Sequence, residues 1–384
     1  MSFGKTLVLV LLTAASCNPT PGAAPDKSPP PSGGAGAGGA ASDPAGAGGA
    51  GGAGQAGPSG GPMSPEHKDA ASAPSPEPEP GGPGDASADS SADPAVDGAA
   101  SDTPGPPLPE FPLEAVKAAK AEMYASRGGH VEGVSWRDGE VFFSVIPGGL
   151  FRVDQDRKVS RYLDLRSNGT FLLANKSLLV CDDRYGIVQV FPDGKVGVVG
   201  SGGRCNDVTV DRWGNIYFSD FQNSITRITP QGQQSKALSG LRQPNGLEVD
   251  PESKFLYFMP RPSDIYRVAI DENGPTGQPE KLGNLDGVTD GCAFDAYGNL
   301  WVTVYYGGKI GVFDPEKREL LTYVDAGGRG LTNMTFGGPN RDVVFTTVDG
   351  KGIMTVTVGV QGFAGHPGAP QYPIKNYLDM QGAP

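Results

Sequence analysis

Residues 203–220 read GRCNDVTVDRWGNIYFSD. Two apolar runs, VTV and IYFSD, flank the turn DRWGN, and Gly214-Asn215 is a hairpin signal between them. Arg204, Asn206 and Asp207 crowd the start of the first run. A strand buried on both faces seldom begins with a cation and two hydrogen-bonding groups. They are either turn formers or the edge of a site, and the rest of the chain bears on which.

The same unit recurs. EVFFSV (140–145), SLLVCD (177–182), NIYFSD (215–220), KFLYFM (254–259), NLWVTV (299–304) and DVVFTT (342–347) each follow a turn. Each is followed by a second strand-like run and preceded by another. The preceding runs open at Glu132, Asn168, Asn206, Asn245, Asp290 and Thr332, with spacings of 36, 38, 39, 45 and 42 residues. Short strands repeating about every 40 residues mark a β-propeller with one blade per repeat. The expected fold is therefore an all-β, six-bladed β-propeller over residues 108–384. Weaker fourth strands follow five of the repeats: KVSRYLDL, KVGVV, QSKAL, PEKLG and RELLTYV. The sixth repeat has none at its end. AAKAEMYAS (118–126) either supplies it from the other end of the domain or, being rich in Ala, Lys and Glu, forms a helix.

The first quarter of the chain has another texture. Residues 1–17, MSFGKTLVLVLLTAASC, combine one Lys with a short apolar run ending in small residues, the pattern of an export signal. The ending at Cys17 resembles a bacterial lipobox, which implies lipidation of Cys17 after cleavage. Residues 18–107 contain no Phe, Trp, Tyr or Ile and are built of Gly, Ala, Pro, Ser and Asp. Such a segment buries too little apolar area to offset chain entropy and is expected to be a disordered linker. It holds eleven acidic residues against two lysines, which is most of the net charge of −12. The propeller region is thus only mildly acidic and offers no electrostatic footprint for nucleic acid. The expectation is a monomer at a bacterial cell envelope, touching the membrane only through its lipid. Of the other cysteines, Cys181, Cys205 and Cys292, none lies in a C-x-x-C pair. A Cys181–Cys205 disulfide is open in an oxidising compartment.

In a propeller the first strand of every blade lines the central channel, so the six opening residues gather at one mouth. All six carry oxygen, and two are carboxylates. One Asn or Asp at a strand start is ordinary turn chemistry. Six at one register, Glu132 among them, form a polar ring. Oxygen ligands without His or Cys suit Ca2+ first and Mg2+ or Mn2+ less well, while Zn2+ favours His or Cys.

The pieces HVEGVSW, RCNDVTVDRWGNIYFSD, QPNGLEVDPESKFLYF, TDGCAFDAYGNLWVTVYYGGKIGVFDP and LTNMTFGGPNRDVVFTT resemble the senescence-marker-protein/gluconolactonase/regucalcin family of six-bladed propellers. The resemblance implies one divalent cation at the channel mouth, held by Glu132, Asn245 and Asp290, with Asn206 beside it. It implies substrate contacts from Arg204 and Asn206, to which the ring adds Asn168 and Thr332. It implies hydrolysis of a lactone or ester, with Asp290 as ligand and catalytic base. Two departures stand out. Cys205-Asn206-Asp207 replaces the family's P-N-D, and Asp220 leads through FQNS straight into the next strand without a longer lid, which implies a more open pocket. His130, two residues before Glu132, shares its face of the strand. A catalytic Ser–His–Asp set is unattractive, because the domain has only His130 and His366 and no G-x-S-x-G. Two readings remain: a metal-dependent lactonase or esterase, and a binding propeller that keeps the metal without catalysis. Asp207, next along the strand from Asn206, is expected to point away from the channel as a structural hydrogen-bonding residue.

Overall fold

A computed structural model describes residues 109–202, 204–366 and 371–376. The leader 1–17, Cys17 and the segment 18–107 lie outside the described residues. Among the described residues no helix is long and apolar enough to cross a membrane.

Six antiparallel sheets follow one another along the chain. Blade 1 runs through His130–Arg137, Glu140–Ile146, Gly149–Val153 and Val159–Leu163. The first strands of blades 2 to 6 are Ser167–Leu172, Cys205–Val210, Pro244–Val249, Thr289–Phe294 and Leu331–Gly337. Each expected opening residue therefore sits one or two places inside its strand.

The blades cohere because both faces of each are apolar. Six hydrophobic clusters fill the clefts between neighbouring blades, one per cleft. Ile216 and Phe218 face the cleft toward blade 2, while Tyr217 faces blade 4. Phe143 and Phe142 divide between the two sides of blade 1 in the same way. This double burial is why the sequence alternation looked incomplete: both phases of the strand are core.

Ring closure settles the ambiguous segment. Leu113–Ala118 is a short helix, and Ala121–Ser126 is a strand. The strand pairs antiparallel with Gly352–Thr357 as the outer strand of blade 6. Helix propensity loses there because the open edge of blade 6 offers a full ladder of backbone partners. The C-terminal stretch binds the opposite face of the disc. Gly362 bridges Asp295, His366 lies 3.2 Å from Ser253, Tyr372 donates to Gly214 O, and Lys375–Asn376 adds a fifth strand to blade 2.

One local device shapes the site. Every first strand shifts register just after its opening, between Glu132 and Val134, Ser167 and Thr170, Cys205 and Val208, Pro244 and Leu247, Thr289 and Cys292, and Leu331 and Met334. These are bulges, and a bulge leaves main-chain groups without ladder partners. The facing position in the second strands holds Ser144, Cys181, Ser219, Met259, Thr303 and Thr347. Ser144 donates to Asn168 O, Ser219 to Asn245 O and Thr303 to Thr332 O, each reaching into the next blade. At the same position in blade 2, Cys181 instead forms a disulfide to Cys205 of blade 3. Cys292 is a buried free thiol.

Candidate active site

The bulges turn the opening residues into the channel mouth. There a cavity of about 810 Å³ is lined by Glu132, Asn168, Asn206, Asn245 and Asp290, with Arg204 at its rim. The structure thus brings together residues from five blades that are 36 or more positions apart in sequence. Thr332 is the exception and does not line the cavity. Its hydroxyl lies 2.6 Å from Val131 O and 2.7 Å from Thr347 Oγ1, completing the inter-blade chain between blades 6 and 1. Its expected role in holding substrate is therefore corrected to a structural one: the side chain is short and already committed.

The floor is polar, buried and incompletely paired. Asn168 Nδ2 donates to Asn206 Oδ1 at 3.2 Å, and Asn206 Nδ2 donates to Asn245 Oδ1. This chain of amides begins at an unpaired Asn168 Oδ1 and ends at Asn245 Nδ2, which makes no regular hydrogen bond but lies close enough to Asp290 to favour its charged form. Ser167 Oγ, also at the cavity, is unpaired too. Apart from arginine nitrogens, these three are the buried side-chain atoms without a regular hydrogen bond among the described residues. Burial pushes the Glu132 carboxyl well up, and the negative charges of Asp290 and Asp207 push it further. Burial raises Asp290 as well, opposed by the nearby Arg261 guanidinium and reinforced by Asp207. Buried carboxylates that repel one another among amide oxygens fit a hard cation, which would offset that repulsion. Among the described residues no group of three His, Cys, Asp or Glu side chains is placed to hold a metal, so such a site depends on the asparagine amides.

Asp207 departs from expectation. It does not turn away from the channel but enters it one level below the ring. Its Oδ1 accepts from Val208 N at 3.0 Å and faces Asn333 Nδ2, from the opposite blade, at 3.4 Å. A contact between blades 3 and 6 spans the axis, so this pair plugs the channel. The bulge is the physical reason, since it gives two successive residues to the channel side. The matching positions in the other blades are Gly133, Gly169, Gly246 and Gly291. Their lack of a Cβ makes the room: one at Gly169 or Gly291 would strike Asp207 or Asn333, and one at Gly246 would strike Asp290 O. Burial lifts the Asp207 carboxyl to about 7. Gly246→Ala is expected to destabilise the fold by about 2 kcal/mol, as overpacking does, and to displace Asp290; a urea melt with wild-type stability would refute that close approach.

Asp349 went unread in the sequence, and it organises two other side chains at the mouth. His130 Nδ1 lies 2.8 Å from Asp349 Oδ1, and Tyr305 donates to Asp349 Oδ2 at 2.6 Å. A carboxylate only accepts, so Nδ1 carries the proton that points at Asp349. Nε2 is 3.8 Å from Glu132 Oε1. The hydrogen bond to Asp349, and then burial, hold the Tyr305 phenol up. Arg261, Tyr305 and Asp349 share a positional signal, since each follows the last paired residue of a second strand.

Comparison with known proteins agrees with this architecture. A protein of Sulfolobus acidocaldarius is 26% identical over 269 residues, covering 62% of this chain and 96% of its own length. The 6-deoxy-6-sulfogluconolactonase of Pseudomonas putida is 25% identical over 225 residues, covering 53% of this chain and 76% of the relative. Among solved structures, a gluconolactonase from Xanthomonas campestris superposes with a TM-score of 0.57 at 23% identity, covering 67% of this chain and 96% of that one. At that identity the likeness shows the fold. The family described as SMP-30/Gluconolactonase/LRE-like region matches residues 131–349, more than half of the sequence, and the chain belongs to it.

Proposed function

We propose that this protein is a divalent-metal-dependent hydrolase of lactones or related esters. One observation carries the reading: Glu132, Asn206, Asn245 and Asp290 converge, buried, on the floor of a cavity open to solvent, beside the unpaired Asn168 Oδ1. Relatives named for lactone hydrolysis support the substrate class. Glu132, Asn245 and Asp290 would hold the cation, with Asn206 beside them, and Ca2+ suits an all-oxygen donor set best. When bound, the cation supplies electrophilic activation of a carbonyl and lowers the pKa of water.

The chain's own groups do the rest. Asp290 accepts the proton of the attacking water. Water adds to the lactone carbonyl carbon, the ring C–O bond breaks, and the ring oxygen takes a proton to leave a hydroxy acid. Arg204 grips a hydroxyl or carboxylate of the substrate, and Asn168 offers its unpaired Oδ1 to a substrate hydroxyl. His130, oriented by Asp349, presents Nε2 to the same space as a second place where a proton can rest. We further propose that lipidated Cys17 holds the propeller at the cell envelope.

Turnover of an aldonolactone panel with added Ca2+, Mn2+ or Zn2+ tests the reading, together with an anomalous-scattering map of the channel mouth. The expected result is metal-stimulated ring opening and one peak among Glu132, Asn245 and Asp290. A peak without hydrolysis of any lactone or ester would make the chain a binding propeller. Absence of any bound divalent cation would remove both readings.

A further inference from the structure

Strand alternation returns side chains to the channel side two residues before each opening, one step above the ring. Those positions hold His130, Arg166, Arg204, Gln243, Val288 and Gly330. Blades 1, 2 and 3 thus place His130, Arg166 and Arg204 at equivalent points, and all three line the cavity. In blade 4, Arg261 follows Phe255–Pro260 and lines it as well. Guanidinium groups therefore occupy a continuous arc over three consecutive blades, beside the His130 imidazole of blade 1. Val288, Tyr305 and Tyr306 make up the other side of the rim.

The three guanidinium groups of this arc are not held in ion pairs, although the Arg261 charge reaches Asp290 on the floor. Some arginines elsewhere on the domain are paired, as in Arg152–Glu140, Arg161–Asp164 and Arg267–Glu280, and others, such as Arg137 and Arg227, donate to backbone carbonyls. Among the described residues no carboxylate forms an ion pair within 4.0 Å of Arg166, Arg204 or Arg261. Arg204 instead lies over the Phe221 ring, 5.8 Å from its centroid. One acid, the exposed Asp183, shares the rim with them. The arc could serve to balance Glu132 and Asp290 below it. The divalent cation of the proposed function would already cancel those two charges, which leaves the arc for a charge arriving from solvent.

We propose that Arg166, Arg204 and Arg261 form a subsite for an anionic substituent, so that the preferred substrate is a lactone carrying a carboxylate, sulfonate or phosphate away from its ring carbonyl. This rests on the hydrolase reading and narrows it. Planar guanidinium forks match oxyanions in two-point contacts, and three of them above a single mouth orient the substrate with its carbonyl toward the floor. An exposed arc also steers an anion toward the mouth, with a dependence on ionic strength.

A matched pair of probes tests it. D-Glucono-1,4-lactone and D-glucaro-1,4-lactone differ by a hydroxymethyl group against a carboxylate. With Ca2+ present, kcat/KM is expected to be about tenfold or more higher for the acid, in line with a charge-assisted hydrogen bond. Added NaCl should lower that preference. Arg166→Gln and Arg261→Gln should each reduce the acid-to-neutral ratio about tenfold, while Arg161→Gln, outside the cavity, should leave it intact. Equal kcat/KM values for the two lactones would overturn the subsite and leave the hydrolase reading standing. If neither lactone is opened, thermal melts with Ca2+ and glucarate or gluconate decide. Stronger stabilisation by glucarate, lost in the Arg166→Gln/Arg261→Gln double variant, keeps the subsite on a binding protein. Equal stabilisation, or none, overturns it.

Discussion

A chain that begins at Arg127 is expected to lose cooperative folding, whereas one that begins at Glu110 should melt like the full-length protein. The difference between them is the short helix and the strand Ala121–Ser126, which closes blade 6. Without that strand, Gly352–Thr357 becomes an exposed edge, and the ladder Ala121↔Val356 to Ser126↔Gly352 is lost. Val116 and Ala125, both buried, leave their clusters, and Ile353, Phe345, Val356 and Val358 are uncovered in turn. At about 1.5–3 kcal/mol for each large apolar side chain re-exposed, the loss rivals the whole net stability of a domain. Circular dichroism melts of the two chains check this. An equal midpoint for both would mean that the ring holds without its clasp.

Asp290→Asn should lower kcat about 10²–10⁴-fold, the span expected of a positioned proton acceptor, while the metal-free protein becomes no less stable. The two effects have opposite signs because the acid is costly to the fold and needed at the site. The same carboxylates make stability depend on pH. Asp207 titrates at about 7, and burial lifts Glu248, which lines the lower channel, to about 8. Both values lie above those of an unfolded chain, near 4. The folded state therefore binds more protons between about pH 4 and pH 8, and its stability falls as pH rises through that window. Urea melts in chelator at pH 5 and pH 8 should show the higher stability at pH 5. Saturating Ca2+ should add more at pH 8 than at pH 5, because fewer protons compete for the carboxylates there, and should add little to Asp290→Asn. A chelated protein equally stable at both values would contradict the burial of these acids, and a full Ca2+ effect in the variant would take Asp290 out of the cation site.

The repeat was legible in the sequence because each blade spells the same local chemistry: a polar opening, a turn and two apolar runs. The ring was legible because register is a matter of counting. What escaped is what depends on irregularity or on distance. A bulge cannot be counted from a two-residue period, so Asp207 was assigned the wrong direction, while its hydrogen-bonding character was read correctly. Thr332 shares the register of the ring, but the hydroxyl reaches a neighbouring carbonyl before it reaches the cavity. His130, Asp349 and Tyr305 come from blades 1, 6 and 5 and meet only once the circle closes. Ala121–Ser126 stayed ambiguous because its partner lies more than 220 residues away, beyond any local propensity.

The axial pair Asp207–Asn333 has a kinetic side. The cavity above it and the narrower one below share no lining residue, and Phe363 and Ala364 of the C-terminal stretch line the lower one. The upper cavity is thus a well with a single opening rather than a tunnel. Whatever enters past the arginine arc leaves past it, so arrival and departure compete for one doorway. On the hydrolase reading proposed above, the hydroxy acid must carry its new negative charge out through that same doorway.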